Sequence, residues 1–153
     1  SNMSTVRVFA DRRLLWLEAE QLREAIRVMR ALKVQPVPLP GYPVPLLVWA
    51  VRFLPTPLLG LVMRPLVVSG RAEKLPSLLI ELNRNSGKSE IDELNGAVTK
   101  LGQSVGVPTP VNDTLAATVN LLTLMPSQRE AWRGNVERLV LVARGAQKKP
   151  PGD

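Results

Sequence analysis

The sequence predicts an all-α domain of about seven helices, on three observations. Apolar residues recur at steps of three and four along most of the chain, no stretch alternates apolar with polar residues as a half-buried strand would, and residues that start or stop helices bracket the periodic segments. Asp11 suits the N-cap of a first helix over 11–32, with Leu15, Leu22, Ile26, Met29 and Leu32 as its buried stripe. The Arg residues toward its C-terminal end suit the helix dipole.

From Val34 to Pro76 the character changes, because this stretch holds nine of the fourteen Pro residues. Pro removes a backbone donor and crowds the preceding turn, so only short helices are expected there, one over 45–53 and one from 57 to about 63, each with Pro at an N-terminal position. A fourth is expected from 76 or 77 to 84, ending at the turn Asn85-Ser86-Gly87.

The fifth helix carries the fullest signature. Ser89 and Asp92 have the capping-box spacing, so a helix begins at Glu90. Ile91, Leu94, Val98, Leu101 and Val105 fall on one face, Gly106 supplies the stop, and Pro108 and Pro110 prevent continuation. Asn112 or Asp113 is expected to cap the sixth helix, which carries Leu115, Val119 and Leu122. Ser127 and Glu130 repeat the capping-box form, and the seventh helix is expected to bury Trp132, Val136, Leu139, Val140 and Ala143 and to run to Arg144, with Gly145 as its stop. Residues 1–2 read as a tag remnant, 3–145 as one domain and 146–153 as a disordered tail.

Composition narrows the chemistry. A chain of 153 residues can bury a real core as a single domain. The sequence has no Cys and no His, which removes a disulfide framework, most transition-metal sites, thiol nucleophiles and the usual general base, and fits a reducing compartment such as the cytoplasm. No metal site is expected. Lys and Arg exceed Asp and Glu to give a net +7, but Arg12, Arg13, Arg23, Arg27 and Arg30 are interleaved with Glu18, Glu20 and Glu24, and one Tyr with two Phe leaves little for bases to stack upon. The expectation is a solvated basic surface and no nucleic acid. The stretch from Leu46 to Met63 is strongly apolar, yet Arg52, Arg64 and the repeated Pro exclude a membrane span. It reads either as core helices or as a surface for another domain or a second subunit, giving a homodimer.

The string SEIDELNGAV, the later Gly-Val-Pro-Thr-Pro-Val-Asn ending at Asn112 and the earlier Pro76-Ser77-Leu78-Leu79 together resemble the C-terminal domain of the ketopantoate reductase (2-dehydropantoate 2-reductase) family, over roughly residues 74–122. Leu78 and Glu81 stand where that family has Met and Asp. The resemblance implies a helical fold like the C-terminal domain of 6-phosphogluconate dehydrogenase, a substrate-binding and dimerisation role, a small 2-keto acid substrate and a place in pantothenate biosynthesis. It also implies that Ser77 hydrogen-bonds substrate and that Glu90 contacts the NADPH cofactor or orients the reacting pair. On spacing alone, Ser77 is a helix-start hydroxyl and Glu90 a carboxylate at a helix N-terminus. The Gly-x-Gly-x-x-Gly turn that marks a Rossmann domain is absent, as is a counterpart of the family's catalytic Lys, the first Lys being Lys33. No catalytic residue is therefore assigned. The expectation is a domain inactive by itself, with NADPH held only when a Rossmann domain is supplied. The alternatives are a non-enzymatic helical oligomerisation or adaptor module and a peripheral membrane protein using residues 45–63.

Overall fold

The computed structural model describes residues 11–38, 40, 43–68, 90–132 and 135–148, the side chains of 64–68, 90–93, 126, 129 and 130 excepted. The described residues are helical and contain no strand: α1 (Arg12–Ala31), α2 (Val44–Phe53), α3 (Thr56–Val68), α4 (Glu90–Ser104), α5 (Pro110–Leu124), a 3-10 turn Pro126–Gln128, the single turn α6 (Arg129–Trp132) and α7 (Val136–Lys148). The fold class is as expected. The helix expected over 76–84 lies outside the described residues.

α1 is the hub, touching α2, α3, α4, α5 and α7. Asp11 caps it as anticipated, accepting from the Arg13 backbone N–H at 2.8 Å, and the Arg13 guanidinium at 2.8 Å holds the Asp11 carboxyl below its usual range. At the other end the Lys33 N–H reaches the Arg30 carbonyl and the Val34 N–H reaches the Met29 carbonyl. This Schellman closure puts Lys33 at φ 57, a conformation usually left to Gly.

A hub is buried on more than one side, so of the expected stripe Leu15 is buried but Leu14, Leu17, Ala19 and Val28 are buried as well. Leu14 and Leu17 join Val111, Leu115, Val119, Val136, Leu139, Val140 and Ala143 in one core shared with α5 and α7. Ala19 joins Ala50, Val51, Leu59 and Met63 in a second core with α2 and α3, where Leu22 and Ile26 are only partly buried. Arg23 is not a solvated charge. Its guanidinium donates to the Val51 carbonyl at 3.0 Å and the Leu54 carbonyl at 2.8 Å, capping the C-terminal end of α2, and pairs with Glu20 at 2.5 Å.

Three further expectations are corrected. α3 does not stop near Met63 but continues through Pro65 to Val68. Pro65 forgoes one N–H donor of the helical ladder, and the helix is held by Leu59 and Met63 in the core they share with Ala19 of α1. The last helix is split: α6 ends at Trp132, and α7 restarts under Asn135, whose side chain accepts from the Arg138 N–H at 3.1 Å. Gly145 is no stop either, since α7 runs through it to Lys148, and Ala146, Gln147 and Lys148 are its last residues rather than the opening of a disordered tail.

The turn between α4 and α5 follows the sequence closely. Gly106 adopts φ 67, and the Val107 N–H reaches back to the Gly102 carbonyl at 2.9 Å. Gly102 is the tightest point, because a Cβ there would lie 2.7 Å from the Val107 carbonyl oxygen and 2.8 Å from Thr109 Cγ2. Gly96, six residues earlier on the same helix, has open space at that position. Gly102→Ala should therefore destabilise by ~1–3 kcal/mol in urea unfolding, whereas Gly96→Ala should be neutral or stabilise by up to ~1 kcal/mol.

Candidate functional site

α4 and α5 meet α1 through a polar junction rather than an apolar one. Glu24 lies inside the core with no exposed surface. Its two carboxylate oxygens accept from the backbone N–H groups of Val111 and Asn112, each at 2.9 Å, and from Asn112 Nδ2 at 2.6 Å. These amides lie in the first turn of α5, where backbone donors have no partner within the helix, so the carboxylate of one helix caps another and meets the positive end of its dipole. Thr109, the residue in the N-cap position, makes no capping bond and turns its hydroxyl to Asp113 instead.

This arrangement corrects the role expected for Asn112. α5 begins two residues earlier at Pro110, which needs no N–H partner, and Asn112 is a buried first-turn residue facing Glu24. Asn112 Nδ2 also donates to the Gln21 carbonyl at 3.2 Å, while its Oδ1 accepts from Asn95 Nδ2 at 2.8 Å. Asn95 Nδ2 reaches Gln21 Oε1 at 3.0 Å as well, and Gln21 in turn donates to Glu18. Four side chains on three helices thus satisfy one another in the interior, the condition under which buried polar groups hold their places.

The junction also explains why two leucines of the apolar face of α4 are left exposed. Asn95 and Gly102 face inward, with Asn95 8% exposed, while Leu94 and Leu101 are 48% and 45% exposed. The helix is turned toward its polar partners and its closest backbone approach, at the expense of two leucines. Buried hydroxyls on α5 are handled locally, Thr114 and Thr118 donating to the carbonyls of Pro110 and Thr114.

Of the two residues singled out by sequence, Ser77 lies outside the described residues. Glu90 is the first residue of α4, as expected, and its side chain lies outside them. Asn95 stands five residues further along, about 7.5 Å of helix rise, so the junction anchors the helix that begins at Glu90. Sequence reasoning missed this anchoring set of Gln21, Glu24, Asn95 and Asn112. The available signal was Glu24 itself, an acid on a helix side otherwise lined by Leu17 and Val28. Among the described residues no group of acids could hold a metal ion.

An all-helical domain whose interior joins an Asn from Leu-Asn-Gly to an Asn from Pro-Thr-Pro-Val-Asn defines a class that comparison with known proteins identifies. The chain belongs to the family described as ketopantoate reductase PanE/ApbA C terminal, whose model matches residues 2–123. Over 48 residues it is 44% identical to the 2-dehydropantoate 2-reductase of Aquifex aeolicus (strain VF5), a match covering 31% of this chain and 15% of that protein. No solved structure matches it.

Burial pushes the Glu24 carboxyl above its ordinary 4.5, with the amide donors of Asn112 and Val111 pulling the other way. A native value raised above the unfolded one gives a contribution that is complete below about 4.5 and is lost as pH rises through the native value. Glu24→Gln turns one acceptor into a donor facing other donors and should cost ~1–3 kcal/mol. Urea unfolding over a pH series should show the advantage of wild type over this variant shrinking as pH rises from the acid side.

Proposed function

We propose that this chain is the helical substrate-binding domain of an NADPH-dependent reductase acting on 2-dehydropantoate or a related 2-keto acid in pantothenate formation. What supports the reading is family membership across residues 2–123, together with the polar junction that anchors the helix beginning at Glu90. In this reading Ser77 hydrogen-bonds the substrate, and Glu90 stands beside the cofactor or orients the reacting pair. The residues present do not fit NADPH by themselves. The sequence has no Gly-x-Gly-x-x-Gly turn and the described residues include no strand, so the dinucleotide needs a Rossmann domain.

The chain alone should give no binding heat with NADPH in calorimetric titration, and micromolar affinity would overturn that expectation. With a Rossmann domain and the missing catalytic Lys supplied, Glu90→Gln should lower turnover at least tenfold, which is about 1.4 kcal/mol of transition-state stabilisation. If turnover is unchanged and only stability falls, by no more than ~1 kcal/mol, Glu90 serves the helix dipole alone.

The exposed Leu94, Leu101, Leu121 and Leu124 of α4 and α5 favour a second reading, a helical oligomerisation or adaptor module without enzymatic activity. It requires that the form supplied with both a Rossmann domain and the missing catalytic Lys reduce no 2-keto acid.

A further inference from the structure

We propose that the outward side of the α2–α3 corner docks on an anionic lipid surface, a binding function that stands apart from the reductase reading. Both helices turn Ala50, Val51, Leu59 and Met63 inward to the core they share with α1. Their other sides present Leu46, Trp49, Phe53, Leu58 and Leu61, between 48% and 66% exposed. On α2 the spacing of Leu46, Trp49 and Phe53 puts them on one helical face, with the Trp49 and Phe53 rings 6.0 Å apart.

Charge chooses the occupant. Between Ala25 and Ala72 the sequence has no Asp or Glu and six cations, Arg27, Arg30, Lys33, Arg52, Arg64 and Arg71, so this stretch carries six of the seven net positive charges of the chain. Arg52, Arg27, Arg30 and Lys33 are exposed. The Arg52 guanidinium lies over the Phe53 ring, 4.7 Å from its centre, placing a cation beside the exposed aromatic pair. Exposed Leu, Trp and Phe side chains beside an exposed Arg, in a stretch without an acid, suit the boundary of an anionic lipid surface. A second copy placed on this side would set Arg52 against a face holding no acid to pair with it. No helix among the described residues is long and apolar enough to cross a membrane, so α2 and α3 would lie along the interface.

The test is flotation of the chain with vesicles of phosphatidylcholine alone and of phosphatidylcholine mixed with phosphatidylglycerol. The mixed vesicles should carry the chain upward, with a blue shift in Trp emission, about tenfold more tightly than the neutral ones and less so as salt is raised. Trp49→Glu and the pair Leu58→Glu with Leu61→Glu should abolish flotation with helical circular dichroism intact. Arg52→Gln should weaken it, and Leu124→Glu, at an exposed leucine on another helix, should leave it unchanged. Absence of flotation, equal binding to neutral vesicles, or binding that survives Trp49→Glu overturns the proposal. So does a dimer in sedimentation equilibrium that Trp49→Glu disperses, since the face then belongs to a second copy.

Discussion

Glu24 meeting the first turn of α5 is the contact on which the arrangement of the other helices depends. A carboxylate without exposed surface would be prohibitive if it lacked partners, and here three donors converge on its two oxygens. The amides that satisfy it are themselves donors that a helix cannot use internally, so each group resolves the other's deficit. Because Asn112 both donates to Glu24 and accepts from Asn95, the same contact sets the position of α4. Apolar packing tolerates sliding; a set of directed bonds between three helices does not.

Around this junction the apolar cores divide the labour. One unites α1 with α5 and α7, the other unites α1 with α2 and α3, and α1 is common to both. The α2–α3 corner is tied in by Arg23, whose bonds to the Val51 and Leu54 carbonyls occupy acceptors left open at the end of α2. That attachment leaves the far side of the corner free to be apolar, while the polar demands of the domain are met inside.

How much of this was legible in the sequence depends on the range of the signal. Local chemistry read well: the Asp11 cap, the helix start at Glu90 and the left-handed Gly106 each depend on neighbours a few residues away. Burial read less well. Periodicity counts leucines, and on α4 the leucines at 94 and 101 lie outside because Asn95 and Gly102 have stronger claims on the inner face. Glu24 looked like one member of a charged helix surface, since nothing within reach along the chain reveals that its partners are 87 and 88 residues away. Gly145 read as a stop, but without the tertiary need to turn the chain a helix can pass through a glycine at modest cost. Ser77 and Glu90 take their functional roles from family resemblance, beyond what local spacing can carry.

The span closed by Glu24 and Val111 has a further meaning for how the domain can vary. The bonds clamp the two ends of a long excursion that contains the whole α2–α3 corner and the connection to α4. Closure entropy grows only logarithmically, so doubling such an excursion would cost about 0.6 kcal/mol. The clamp therefore separates what must stay fixed from what is at liberty to change. Segments between α1 and α4 can be lengthened, shortened or recast while the junction, to which Asn95 of α4 belongs, keeps its geometry, giving the domain one region for innovation beside another held constant.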